Sequence, residues 1–247
     1  MQIDILTLFP EMFQGPLSES LLKKAQDKGL FSLKTINIRE FTADKHKTAD
    51  DTPYGGGAGM VMKADVISAA LDSLGKKVES RKSKVERRII LMCPTGAPLT
   101  QEKVRALAKQ EHLIILCGHY EGVDERVREM VDEEISIGDY VLTGGEIPAM
   151  VLVDAVVRQI PGVVQQEGSV QGDSFFGGLL DHPCYTKPEE AAGKRVPKTL
   201  LSGHHAEITR WRRKEALRAT FFRRPELLAR AGLDQADRKL LGEIVTE

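Results

Sequence analysis

The sequence predicts an α/β domain followed by a small all-helical one, and three observations carry that prediction. Short runs of aliphatic and β-branched residues alternate with segments of helical period over the first 160 residues. Residues 161–180 are rich in Gly, Gln and Ser and have no sustained period, as in a linker. Beyond them the pattern is mostly helical. Strands that alternate with helices must run mostly parallel, because each crossover helix returns the chain to the same end of the sheet.

In order, residues 2–9 read as a strand, 18–28 as a helix closed by Gly29, and 31–38 as a second strand. A long loop, about 39–62, leads to a helix over 63–74, and its length suggests a functional lid. Then come a strand at 88–93, a helix at 100–110, a strand at 112–117, a short helix near 124–130 and a strand at 134–137. A helix over 147–159 stops at Pro161-Gly162, since proline cannot continue it. Helices at 205–219, 225–231 and 234–242 complete the reading. The domain boundaries expected are 1–162, a flexible linker at 163–177, and 178–247.

Of the 247 residues, 41% are apolar, 29% charged and 5% aromatic, which fits a soluble folded protein rather than a disordered, fibrous or membrane one. No stretch approaches the ~20 apolar residues of a membrane span, and Met1-Gln2-Ile3-Asp4 lacks the layout of a secretion signal, so a cytoplasmic protein without a membrane partner is expected. Cys93, Cys117 and Cys184 are odd in number and contain no C-x-x-C pair, which argues against a disulfide framework or a cysteine-rich zinc site.

The net charge of −1 hides an asymmetry: residues 178–247 hold 14 Lys+Arg against 10 Asp+Glu, leaving 21 against 26 in residues 1–177. Within 203–224, Arg210, Arg212, Arg213, Lys214, Arg218, Arg223 and Arg224 face only two acids and are interleaved with His204, His205, Trp211, Phe221 and Phe222. That composition suits a polyanion. The basic run at 76–88 reads as a solvated surface loop.

Three consecutive strands end in glycine-bearing turns: Pro94-Thr95-Gly96, Gly118-His119-Tyr120-Glu121-Gly122 and Gly138 through Gly145. In a parallel sheet these lie at the carboxyl edge, where open α/β folds bind ligands, and glycine lets backbone groups touch a ligand directly. A nucleoside-sized pocket follows, although each turn alone is explained as a feed into the next helix. The loop from Asp50 to Met60 has four glycines in five residues, but no Lys-Ser or Lys-Thr follows at P-loop spacing, which disfavours a nucleotide triphosphatase. Pattern alone makes Asp173 a turn or cap residue and Arg158 a surface arginine at a helix end. The adjacent His204-His205 pair lacks the i, i+4 spacing of helical metal ligands, and no metal site is assigned.

Together, Pro53 to Met60, Gly118 to Arg126, Ser136 to Glu146, Arg158 to Val163 and Asp173-Ser174-Phe175 resemble the bacterial tRNA (guanine-N1)-methyltransferase family, TrmD, of the knotted SPOUT superfamily. The likeness covers essentially the whole chain in order. It departs at His119, Thr95 and Ala58, where many relatives carry Arg, Gln and Pro.

The resemblance implies a SPOUT-type parallel sheet with a deep trefoil knot at the C-terminal part of the α/β domain, followed by the helical tRNA-binding domain. It implies S-adenosylmethionine as methyl donor, held by Pro94, Gly96, Gly118, Tyr120, Glu121, Gly122, Ile137, Gly138, Asp139, Tyr140, Val141, Leu142, Gly144, Gly145 and Pro148. Gly59, Ser174, His204, Arg210 and Arg212 would contact tRNA. The reaction implied is methylation at N1 of the guanosine 3′ of the anticodon, position 37, with Asp173 as general base and Arg158 stabilising O6. It further implies a homodimer with shared active sites acting on the tRNA anticodon arm, with no DNA partner. Magnesium has no ligand set that the scattered acids define. The alternatives are an RNA-binding regulator with a degenerate pocket, supported by the same basic region, and a SPOUT methyltransferase with another RNA target.

Overall fold

The structure is a computed structural model that describes residues 1–75, 87–164 and 172–247. Most of the basic run at 76–88 and half of the predicted linker therefore lie outside the described residues. The chain divides into two compact units, Met1–Gln165 and Gln166–Glu247.

The first unit holds strands β1 (Gln2–Thr7), β2 (Ser32–Asn37), β3 (Asp50–Asp51), β4 (Val61–Met62), β5 (Arg87–Pro98), β6 (His112–Cys117) and β7 (Glu133–Ser136). Its α-helices are α1 (Ser20–Asp27), α2 (Ala64–Ser73), α3 (Gln101–Leu107) and α4 (Glu146–Arg158). The main sheet has the order β2-β1-β6-β5-β7 and every neighbouring pair is parallel. The central strand β6 is buried along its whole length, which is why its sequence lacks polar alternation. Leu113 and Ile115 face Leu152, Val153 and Val156 of α4, while Ile114 and Leu116 join Val66, Ile67 and Ala70 of α2 on the opposite face.

The strand predicted at 88–93 continues to Pro98. Met92 and Ala97 both pair with Ile135, so residues 93–96 leave the ladder as a bulge and the strand resumes after it. The short helix expected near 124–130 is a 3₁₀ segment, Glu125–Met130, started by Asp124, whose carboxylate accepts from the Arg126 amide at 2.9 Å. Arg126 also grips that carboxylate and holds its pKa down at about 2.

The second unit carries a two-stranded antiparallel ribbon, β8 (Glu190–Ala191) and β9 (Lys194–Arg195), that the helical reading did not foresee. Helices α5 (Lys198–Leu201), α6 (His205–Arg223), α7 (Pro225–Leu228) and α8 (Gln235–Thr246) follow. Leu179, Leu217, Leu240 and Ile244 form its core. Residues 172–180, read from sequence as linker and its margin, are tied into this unit. The Phe175 amide donates to the Leu179 carbonyl at 2.7 Å, Asp181 N to Ser174 Oγ at 2.9 Å, and Leu180 N to Thr220 Oγ1 at 2.9 Å. No described helix is long and apolar enough to cross a membrane.

Candidate active site

The strand order places β6, β5 and β7 side by side, so their carboxyl ends adjoin, at the edge where open α/β sheets bind ligands. A cavity of 320 Å³ opens there, walled by the β5 bulge, the turn at 118–122 and the segment from Ile135 to Gly145. All the residues expected to hold a donor line it except Gly96 and Asp139. Gly96 closes the base of the bulge: a Cβ there would stand 2.5 Å from the Ile135 amide nitrogen, so only glycine lets the two backbones meet. Asp139 is exposed outside the cavity. The cavity also takes in Cys93, Thr95, His119 and Arg128, which the sequence reading left out. Cys93 and Thr95 flank Pro94 in the bulge, but nothing in the chain pattern brings the 3₁₀ residue Arg128 to the same place.

Arg128 pairs with Glu134 and with Glu125 at 2.9 Å, and donates to Thr95 Oγ1 at 3.3 Å. The Glu134 carboxylate holds the guanidinium above its ordinary pKa, while burial pushes the Cys93 thiol up. Cys93 in turn donates to Glu134 at 3.0 Å. These bonds tie the bulge to β7 through side chains as well as backbone.

The other wall is set by the start of α4. The Gly145 amide donates to the Gly118 carbonyl at 2.7 Å. Glu146 is buried and accepts from Thr7 Oγ1 at 2.8 Å, which anchors the helix start to β1. His119 Nδ1 lies 3.7 Å from Glu146, and its ring packs 4.8 Å from the rings of both Phe9 and Tyr120.

The glycine-rich loop joins this edge. Gly55, Gly56, Gly57 and Gly59 all take left-handed φ values, +87°, +79°, +125° and +90°. Glu121 N donates to Met60 O and Met62 N to Gly122 O, both at 3.0 Å, so the loop is stitched to the turn at 118–122. Gly59 lies against Glu121, where a Cβ would meet Cγ at 2.5 Å.

Arg158 is the last residue of α4, whose first turn carries the cavity residue Pro148. Ten residues at 1.5 Å rise put it ~15 Å farther along the axis. Asp173 and Ser174 belong to the second unit. There, Arg210 pairs with Glu243 at 2.6 Å, Arg213 with Asp237 at 2.7 Å, and Lys214 with Glu243 at 2.9 Å and Glu247 at 2.6 Å; Arg218 pairs with Glu215 at 3.2 Å. The basic count of α6 therefore overstates the charge it offers to a ligand. Arg212 is exposed and has no ion-pair partner among the described residues, and His204 precedes the first turn of α6. Asp181, His182 and Cys184 bring three ligand atoms within 4.8 Å, but Asp181 already binds His182 Nδ1 at 2.6 Å and no metal is assigned.

The family model described as tRNA (Guanine-1)-methyltransferase TrmD matches residues 1–230. A tRNA (guanine-N(1)-)-methyltransferase of Desulforamulus reducens is 57% identical over 245 residues, covering 99% of this chain and 95% of the relative. Proteins of the same name from Dictyoglomus turgidum and Bacillus subtilis are 54% and 53% identical, covering 100% and 98% of this chain and 98% of each relative. The chain belongs to the tRNA (guanine-1)-methyltransferase family. The match with that family spans both units, from β1 through α7, so the basic helical unit is part of what this chain shares with the tRNA (guanine-1)-methyltransferases.

Proposed function

We propose that this protein transfers a methyl group from S-adenosylmethionine to N1 of the guanosine 3′ of the anticodon, position 37 of tRNA. The observation that carries the reading is the cavity built from three backbone turns at the carboxyl ends of β5, β6 and β7, in a chain of this family. Its walls suit a nucleoside: Ile137, Leu142 and Pro148 offer apolar surface to a base, and the glycines leave amides and carbonyls open for its edge. S-adenosylmethionine, when bound, supplies a methyl group on a sulfonium leaving group.

The remaining chemistry falls to side chains. Neutral guanine carries a proton on N1, so its lone pair is unavailable until a base removes it. In this reading the Asp173 carboxylate accepts that proton, in a site from which docked tRNA excludes solvent and so raises its proton affinity. As N1 is deprotonated, negative charge grows on O6, where the Arg158 guanidinium donates hydrogen bonds. The target base is unstacked from its loop to reach the site.

Two features support a homodimer with shared sites. Arg158 stands at the far end of α4 from its own chain's cavity, which favours a site completed by a second copy. Ile147 and Val151, one turn apart on the same helix, leave apolar surface exposed for that copy. A trefoil knot is consistent with the segment after β7 returning to lie against the end of β6 at Gly118.

The test is to incubate the purified protein with S-adenosylmethionine and an unmodified tRNA transcript bearing guanosines at the anticodon's 3′ boundary, then digest the RNA. N1-methylguanosine by mass spectrometry is the expected product; its absence would overturn the reading.

A further inference from the structure

The second unit contains an open groove of 1110 Å³, lined by residues 182–189 together with Val196, Leu200, Leu201, Ile208, Trp211 and Arg212. Its wall carries three rings: Trp211 lies 6.4 Å from His182 and 6.3 Å from Tyr185, centroid to centroid. Trp211 is half-buried, while Tyr185 and Leu201 are about half exposed, at 50% and 51%. The indole N–H and the Tyr185 hydroxyl have no hydrogen-bond partner among the described residues, and Lys187 and Arg212 have no ion-pair partner there. This differs from the neighbouring face of α6, whose cations are answered by Glu243, Asp237 and Glu247 of the α8 side. Glu189 is the groove's one carboxylate.

We infer that this groove receives an unstacked nucleobase of the bound RNA, a different one from the guanine that is methylated. An apolar aromatic wall with unsatisfied polar tips and uncompensated cations at its rim fits a nucleotide better than a purely apolar partner. The rings stack on the base face, the open donors and Glu189 reach its edge, and Lys187 and Arg212 meet the flanking phosphates. The net +4 of residues 178–247 favours the same polyanion. The inference rests on the tRNA-methylating reading and adds to it a second point of RNA recognition.

Trp211 is the only tryptophan in the chain, so its emission reports the groove directly. With S-adenosylhomocysteine present, which has no methyl to transfer, titrating the full-length protein with unmodified tRNA should quench that emission. A fully paired RNA of similar charge should not. Trp211→Ala should raise the KM for tRNA by about tenfold or more, with the donor Kd at its wild-type value, and Trp211→Phe should recover most of that affinity because a ring still stacks. Should Trp211→Ala fold poorly, Tyr185→Ala at its half-exposed position should show the same rise. Emission that ignores tRNA, or an unchanged KM in both alanine variants, overturns the inference. Methylation with a silent groove removes the inference and leaves the function standing; quenching without N1-methylguanosine removes the function and leaves the groove as an RNA site.

Discussion

Gly145 presses its backbone onto Gly118: the two are joined by an amide-to-carbonyl bond of 2.7 Å, and a Cβ on Gly145 would come within 2.8 Å of the Gly118 nitrogen. The contact seals the end of β6 to the start of α4 and so shapes one wall of the cavity. Gly145→Ala should raise the donor Kd by about tenfold or more, since a displaced wall forfeits several backbone contacts at once. Isothermal calorimetry with S-adenosylmethionine checks this, and a wild-type Kd would show that the junction is not part of the donor site.

Asp173→Ala should lower kcat by ~10²- to 10⁴-fold and Arg158→Ala by ~10²- to 10³-fold, both without moving the donor Kd. Single-turnover rates with saturating tRNA, set beside calorimetry, separate the two effects. Loss of donor affinity in either variant would show that the residue shapes the cavity rather than the chemistry.

Because Arg158 lies far from its own cavity, chains defective in different parts of the site should rescue each other. Neither Arg158→Ala nor Gly145→Ala alone supports turnover at the wild-type rate, but dimers reassembled from an equal mixture should recover about a quarter of it. Half of a random mixture is hybrid, and each hybrid holds one intact site of two. No recovery in a mixture shown to contain hybrids would place Arg158 and the donor in the same chain's site.

The three thiols should alkylate in a fixed order at pH 8. Cys184 is exposed and reacts first. Burial raises the Cys93 pKa, so it lags, and bound donor should slow it further because it lines the cavity. Cys117, pushed well up by burial and then by the Glu146 charge, should react only on unfolding. Time-resolved mass spectrometry with iodoacetamide reads the order, and a donor-independent rate at Cys93 would argue against its place in the cavity.

In the second unit, Arg213 grips Asp237 through two bonds, 2.8 and 2.7 Å, and holds its carboxyl below the usual range. A depressed folded pKa means the stabilisation is present above the unfolded value of about 4 and is lost as pH falls through the lower folded value. Asp237→Ala should cost about 2 kcal/mol at pH 7. That is less than the ~3–5 kcal/mol of a fully buried pair because the Arg213 side chain is 44% exposed. Thermal unfolding at pH 7 and pH 3 checks it: the gap between wild type and variant should shrink at the lower pH.

The parallel sheet was legible because β6 reads as an unbroken apolar run between two helix-period segments, and the three turns were legible because glycine marks them. The order of strands was not, since nothing local tells β1 to insert between β2 and β6. The bulge was equally hidden: Pro94 and Gly96 look like the end of a strand, and only the pairing of both Met92 and Ala97 with Ile135 reveals that it resumes. Arg128 and Glu146 were missed because the contacts that place them at the cavity, with Thr95 and with Thr7, reach across 33 and 139 residues. The seven cations of residues 203–224 suggested a polyanion partner, whereas the acids of α8 and its end answer several of them, a pairing that depends on how two helices pack.

The hydrogen bond between Thr7 and Glu146 spans 139 residues and lies inside the first unit. At translation rates of roughly 5–20 residues per second, the hydroxyl on the first strand is synthesised about 7–28 s before its carboxylate partner. The cavity wall at Gly145 is completed in that same late interval. A nascent chain therefore carries β1 and β2 well before the strands and the helix start that wall the cavity, and a messenger cut short within that stretch yields a product without the wall.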